Sequence, residues 1–212
     1  YIAPDMTILA EHISEGGLTQ LAYQQEPNQI IYAVRGDGEL VALTYQREQQ
    51  VTAWHRHIFG GSFGSGNAVC ESVAVIPTDD TEYEVYVIVK RTINGVTRRF
   101  VEFINNFDFT ETDNTTFNFL DSALAYSGSA VTTISGLDHL EGQTVSILAN
   151  GATHPDKTVS SGSITLDRSS TNVKVGLSYS SILQTMRLDA GSQNGTSQGK
   201  TKRIYEITIR LF

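Results

Sequence analysis

Short stretches in which apolar and polar residues alternate fill the first half of the chain. A period of two is typical of strands that bury one face. The pattern predicts four strands with turn residues between them, at 18–23, 30–34, 40–45 and 51–57. Gly36, Asp37 and Gly38 can supply the positive φ angles that a tight hairpin needs. We therefore predict a four-stranded antiparallel meander.

A second strand-rich unit follows a glycine-rich stretch at 60–66, which we expect to be flexible. Its predicted strands lie at 69–76, 83–90 and 98–104, with Asn94-Gly95 as a hairpin turn. The two meanders, which start at Leu18 and Val69, resemble consecutive blades of a β-propeller. Because two blades cannot close a propeller, we expect an open arrangement or missing blades.

One short helix is predicted near the N-terminus. Asp5 follows Pro4 as a possible N-cap, and apolar residues continue from Met6 to Ile13. Gly16 and Gly17 should end the helix.

The polar, threonine-rich stretch between Asn105 and Asn118 is the predicted domain boundary. Beyond it, strands are predicted at 130–134, 144–149, 157–159, 163–166 and 174–179, with turns at Asn150-Gly151 and Ser161-Gly162. A polar segment at 191–199 precedes a last alternating strand at 203–211. The fold class is thus all-β: antiparallel propeller-blade-like meanders with a short helix at 1–110, then a small β-sandwich or barrel domain at 111–212 with a C-terminal return strand.

Composition and charge exclude some classes of function. The chain has 212 residues, of which 40% are hydrophobic, and a formal net charge of −8. An acidic chain repels a phosphate backbone, so stable nucleic-acid binding is not expected. Cys70 is the single cysteine, which leaves no intrachain disulfide. The sequence shows no signal peptide and no apolar run of membrane-spanning length, and a start at Tyr1 suggests a fragment.

Several motifs stand in a fixed order along the chain. They are VRGDGEL at 34–40, LTYQREQ at 43–49, WHRH at 54–57, ESVAVIP at 71–77 and RTING at 91–95, followed by GLDHLEGQ at 136–143 and QGKTKRI at 198–204. This series resembles the tail tubular or nozzle proteins of podoviruses and related prophages, whose members are longer than this chain.

The resemblance implies a non-enzymatic structural component of a phage tail, which forms part of the DNA-ejection channel. Its partners would be other copies of itself in a ring, the portal or adaptor, and other tail proteins, with DNA only in passage and no membrane. It would be assembled in the bacterial host cytoplasm and located in the virion tail. The resemblance implies no catalytic activity, and we predict no catalytic residue, no metal site and no cofactor.

Few residues in the sequence are candidates for a metal site or a catalytic site. His55 and His57 share one face of a predicted strand and could hold a metal with a third ligand, but a polar strand face opposite a buried Trp54 explains them as well. Glu48, Glu71 and Glu102 could supply a glycosidase pair, yet no sequence pattern brings two of them together.

Two sets of residues could make contacts. The basic cluster is a possible DNA or subunit contact, or a charged strand edge that prevents wrong pairing: Lys200, Lys202 and Arg203. The alternative function is a carbohydrate- or receptor-binding β module of a phage tail, with three aromatic side chains as possible glycan contacts: Phe119, Tyr126 and Tyr179.

Overall fold

The alternating sequence folds into strands almost throughout. A computed structural model of the chain describes residues 5–8, 10–78, 82–105, 113–184, 201 and 203–208. Strands account for 59% of the structure and helix for 4%, in several antiparallel sheets. The prediction of an all-β fold is confirmed.

The first sheet is the predicted meander. Its strands, in the order β1-β2-β3-β4, are β1 (Leu18–Gln24), β2 (Ile30–Arg35), β3 (Leu40–Gln46) and β4 (Val51–His57). At the β2–β3 hairpin only Gly38 has a positive φ, of 88°. A Cβ on Gly38 would lie 2.3 Å from a methyl carbon of Val69, so this glycine also allows the next part of the chain to approach.

The second sheet follows a two-stranded ribbon of β5 (Ser62–Phe63) and β6 (Gly66–Asn67). Its strands, in the order β7-β8-β9, are β7 (Val69–Pro77), β8 (Tyr83–Ile93) and β9 (Val96–Ile104). The predicted strands are all present, and Asn94 and Gly95 turn between β8 and β9 with φ angles of 48° and 74°. Two positive φ angles are the signature of a type I′ turn.

The first and second sheets share one hydrophobic core. Its buried side chains come from one face of each sheet and from the segment between them: Tyr32, Val34, Leu40, Ala42, Ala68, Cys70, Val73, Val85, Val87 and Val89. Side-chain amides tie the two sheets together where no strand ladder runs. The amide of Gln20 donates to the Val73 carbonyl at 2.9 Å and accepts from the Val73 N–H at 3.2 Å. The sheets therefore form a face-to-face pair, while their likeness to propeller blades stays a prediction.

The predicted N-terminal helix is much shorter than its apolar pattern indicates. Helix α1 (Glu11–Ser14) has one turn, and no side chain caps it. Asp5 is not its N-cap; its carboxylate instead accepts from the backbone N–H of Thr7 at 2.8 Å and from its hydroxyl at 2.7 Å. Such local bonding offers the backbone an alternative to a helix, which is why the prediction was wrong.

The third sheet lies in the chain after Asn118. Its strands, in the order β10-β13-β11-β12, are β10 (Asp121–Ser135), β11 (Thr144–Ala149), β12 (Ala152–Thr158) and β13 (Ser163–Leu177), with a 3₁₀ turn at Asp138–Leu140. The predicted strands at 163–166 and 174–179 belong to one long strand, and 157–159 only overlaps β12. Register shifts between β10 and β13 let these long strands bend around a core of their own.

A buried histidine joins β12 to β13 without a backbone ladder between them. The side chain of His154 is 1% exposed. Its Nε2 accepts from the Asp167 N–H at 2.9 Å, and its Nδ1 lies 2.8 Å from the Pro155 carbonyl oxygen. Since Nε2 is an acceptor, Nδ1 carries the proton and donates to Pro155. His154 thus satisfies backbone groups at the place where the third sheet stays open.

The chain divides into two compact units, 1–180 and 181–212. In the second unit, residues 203–208 form no strand and are exposed, so the predicted return strand at 203–211 is absent over these residues, while 209–211 and the polar segment at 191–199 lie outside the described residues. The domain boundary expected near residue 110 stays a prediction. Across the described parts of the chain, no helix is both long and apolar enough to span a membrane.

The type I′ turn makes Gly95 a sensitive position. Replacing it with valine forces a Cβ into the left-handed region, at a cost of about 1 kcal/mol or more in the free energy of unfolding. Gly66→Val is a matched control, because Gly66 is also in a hairpin but has no positive φ, and a Cβ there would meet only the Phe63 carbonyl oxygen, at an ordinary contact distance of 3.9 Å. Urea unfolding should show a loss for Gly95→Val only, and equal midpoints for the two variants would contradict the turn.

Candidate interaction surfaces and the buried ion pair

The outer face of the second sheet, turned away from the shared core, is largely apolar. It consists of the side chains of Ile76, Tyr86, Ile88, Val101 and Phe103, which we call the outer apolar face. Val101 is 73% exposed and Phe103 59% exposed. Both belong to β9, where they stand across from Ile88 and Tyr86 of β8. A contiguous exposed apolar patch on a sheet is typical of an interaction surface.

An ion network borders the outer apolar face. The Glu71 carboxylate accepts from Arg99 Nε at 2.6 Å and pairs with Lys90 Nζ at 2.8 Å. The hydrogen bonds from Arg99 and Lys90 lower the pKa of Glu71 to about 2. The Lys90 ammonium also lies 4.4 Å from the centre of the Phe63 ring, in a cation–π contact. These contacts fix the charged groups beside the apolar face.

The inner face of the second sheet holds a buried ion pair. Arg91 is fully buried, and its two terminal nitrogens donate to the Glu102 carboxylate at 2.5 Å and 3.0 Å. The guanidinium carbon also lies 5.9 Å from the centre of the Phe100 ring. A bidentate arginine–carboxylate pair of this kind is among the stronger hydrogen-bonded contacts in proteins.

The same arginine reaches the segment that connects the first two sheets and the start of the third. Arg91 Nε donates to the Gly60 carbonyl at 2.7 Å, and the Gly60 N–H donates to Asp121 at 2.6 Å. Burial raises the pKa of Asp121, although the Gly60 N–H and the charge of Arg91 oppose that shift. A Cβ on Gly60 would lie 2.7 Å from the Ser178 carbonyl oxygen. The glycine-rich stretch expected to be flexible is therefore closely packed at Gly60.

His55 and His57 lie on the side of the first sheet that faces the shared core, and Trp54 lies on the other. This reverses the expected arrangement, in which Trp54 was the core residue; Trp54 packs instead against the N-terminal segment, where its indole donates to the Met6 carbonyl at 2.8 Å. Burial, with a smaller effect of His55, lowers the pKa of His57 to about 4. Among the described residues, no group of three metal-binding side chains includes this pair.

The three aromatic candidates for a glycan site have different surroundings. Phe119 is 55% exposed and lies against Phe117, with ring centres 5.7 Å apart. Tyr126 packs on the core of the third sheet and donates its hydroxyl to the Ser129 carbonyl at 2.7 Å. Tyr179 is 41% exposed, and burial and the charge of Asp121 raise its pKa. Because the Tyr126 side chain is packed against the core of the third sheet, the three residues do not form one exposed aromatic surface.

The remaining candidates are also placed apart. Arg203 is exposed, whereas Lys200 and Lys202 lie outside the described residues. Glu71 and Glu102 lie on opposite faces of the second sheet, each bound to arginine, so they do not make a glycosidase pair.

Sequence reasoning missed the pair of Arg91 and Glu102. A signal was present, because Arg91 interrupts the apolar alternation of β8 and Glu102 interrupts that of β9. Two opposite charges within adjacent buried stripes indicate an internal ion pair. The third partner, Asp121, is far away in sequence and only the tertiary structure brings it near.

Breaking the buried pair should destabilise the protein strongly. Glu102→Gln leaves the Arg91 charge buried without its counter-ion, which costs about 3 kcal/mol in the free energy of unfolding. Glu71→Gln is the matched control, since Glu71 is also bound to arginine but at the surface. Chemical unfolding should separate the two variants clearly, and equal losses would show that burial of Arg91 does not matter.

His57 should make stability depend on pH. Its folded pKa of about 4 lies below the ordinary value of 6.5. The unfolded chain therefore takes up a proton first, and stability present above pH 6.5 is lost as the pH falls towards 4, by up to about 3 kcal/mol. His57→Gln should make the free energy of unfolding depend less on pH between pH 4.5 and 6.5, whereas replacing the exposed His12 should not have this effect. If the slope of unfolding free energy against pH is unchanged in the His57 variant, the pH dependence does not come from His57.

Comparison of the chain with models of protein families and with curated protein sequences found no match.

Proposed function

We propose that this chain is a non-enzymatic structural segment of a phage tail, of the tubular or nozzle class, and that it forms part of the wall of the DNA-ejection channel. The observation that carries the proposal is the ordered series of motifs between Val34 and Gly95. The series resembles podovirus and prophage tail proteins over a long stretch, and its order is harder to reach by chance than any one motif.

The positions of these motifs support the proposal. VRGDGEL forms the β2–β3 hairpin, WHRH ends β4, ESVAVIP lies in β7, and RTING ends β8 and turns into β9. The motifs thus contribute to the paired first and second sheets and to their turns. Residues that fix a framework, and not a catalytic cleft, are what an architectural protein needs.

The charges suggest how such a wall would act. A net charge of −8 places an excess of carboxylates on the chain. If these line the channel, like-charge repulsion holds DNA away from the wall and allows passage without many phosphate contacts. The outer apolar face would then pack against a neighbouring subunit, in a ring below the portal. The protein would be assembled in the bacterial cytoplasm and remain in the virion tail.

Electron microscopy of virions with the parent protein tests the proposal. Density for the paired sheets should lie in a ring around the channel, with acidic side chains towards the lumen. A strongly basic lumen would overturn the repulsion mechanism, and absence of the chain from the tail would overturn the assignment. A position at the outer tail tip, with Phe119 and Tyr179 pointing outwards, would favour the glycan- or receptor-binding alternative instead.

A further inference from the structure

Strand β9 is an open edge of the second sheet. Among the described strands it pairs only with β8. The two-residue turn makes Ile93 and Val96 a hydrogen-bonded pair, so the backbone groups of β9 point alternately to β8 and away from it. Those of Thr97, Arg99, Val101 and Phe103 therefore point to the open edge. An unpaired row of this kind is a template for one more strand.

Residues 203–208 have the sequence of a strand but not the structure of one. Ile204 is 61% exposed, Tyr205 88% and Ile207 73%. β-Branched and aromatic residues favour a pleated, half-buried surface, and leaving most of their apolar area in water forgoes the free energy that burial would supply. This segment therefore has the character of a strand that lacks a sheet.

One antiparallel register matches the segment to the β9 edge. With Ile204 opposite Val101, the other facing pairs are Arg203 with Glu102, Tyr205 with Phe100, Glu206 with Arg99 and Thr208 with Thr97. Two opposite-charge pairs, one aliphatic pair and one aromatic pair then coincide, and Ile207 opposite Arg98 is the single mismatch. A shift by one residue keeps at most one opposite-charge pair, so the register is distinct.

We propose that residues 203–208 of one copy of the chain add as an antiparallel strand to the β9 edge of a second copy. We take a second copy as the partner because the outer apolar face next to the edge is also exposed. Six residues are too few to cover that face, whereas a second copy brings further surface with the added strand. Each copy offers one edge and one strand, so the contact is head-to-tail and can continue from copy to copy. The inference does not depend on the phage-tail assignment, since it uses only residues of this chain.

Disulfide trapping between full-length chains tests the register. Val101→Cys chains are mixed with Ile204→Cys chains that carry a tag of different size, under mild oxidation. The native Cys70 is 1% exposed and should not interfere. Facing residues of an added strand lie within the Cα separation that a disulfide spans. Ile207→Cys is the matched control, because Ile207 is at least as exposed as Ile204 but would lie opposite Arg98, three residues from Val101.

The expected result is a mixed disulfide several-fold more abundant with Ile204→Cys than with Ile207→Cys. Equal yields, or no mixed disulfide at the highest soluble concentration, would overturn the proposal. So would a disulfide that forms only inside a chain carrying both Val101→Cys and Ile204→Cys, because the segment would then pair with its own copy.

Charge reversal tests the same contact without cysteines. Arg99→Glu in the accepting copy should weaken association by roughly threefold to tenfold, the range expected for replacing an opposite-charge cross-strand pair with like charges. Glu206→Arg in the donating copy should restore it, as measured by sedimentation velocity on mixed chains. If Glu206→Arg weakens association with Arg99→Glu further, the proposed pairing of Glu206 with Arg99 is wrong.

Discussion

The Arg91 guanidinium lies fully buried among groups from three parts of the chain. It binds Glu102 on the next strand and the carbonyl of Gly60, whose N–H is held by Asp121 at the start of the third sheet. A buried charge is costly unless its hydrogen bonds are satisfied, so each of these partners must be in place. The arginine thereby constrains the second sheet, the Gly60 segment and the beginning of β10 together.

Side chains, and not ladders, make several of the other connections between sheets. Gln20 binds both backbone groups of Val73, and Gln24 donates to the Tyr83 carbonyl at 2.8 Å. Within the third sheet, His154 in the same way accepts from the Asp167 N–H. Buried backbone groups need partners, and amide or imidazole groups supply them where two strands are too far apart to pair. This arrangement blunts the edge at β7 and leaves β9 as an edge onto which a further strand can add.

An open edge beside an apolar face would serve the assembly that we propose for this protein. Gln20 and Gln24 are hydrogen-bonded between the first two sheets, whereas the side chains of Val101 and Phe103 are exposed on the outer face of the second sheet. The charged groups nearby, Glu71 with Lys90 and Arg99, are already ordered by one another. Preorganised charges around an apolar centre lower the entropy that a contact must overcome, which fits both the proposed tail function and strand addition.

The sequence alone determined the elements whose causes are local. Period-two alternation located the strands of the first two sheets, and Asn94-Gly95, Asn150-Gly151 and Ser161-Gly162 marked turns that have the positive φ angles they require. Only the tertiary structure decided which face each strand buries. A strand has two faces, and which of them is buried depends on where a sheet from a distant part of the chain packs. For that reason His57 lies on the side where Trp54 was expected, and Trp54 lies on the other. The Asp5 carboxylate binds within a turn instead of capping a helix. Arg91 lies near Asp121, a proximity between distant residues that no sequence pattern encodes.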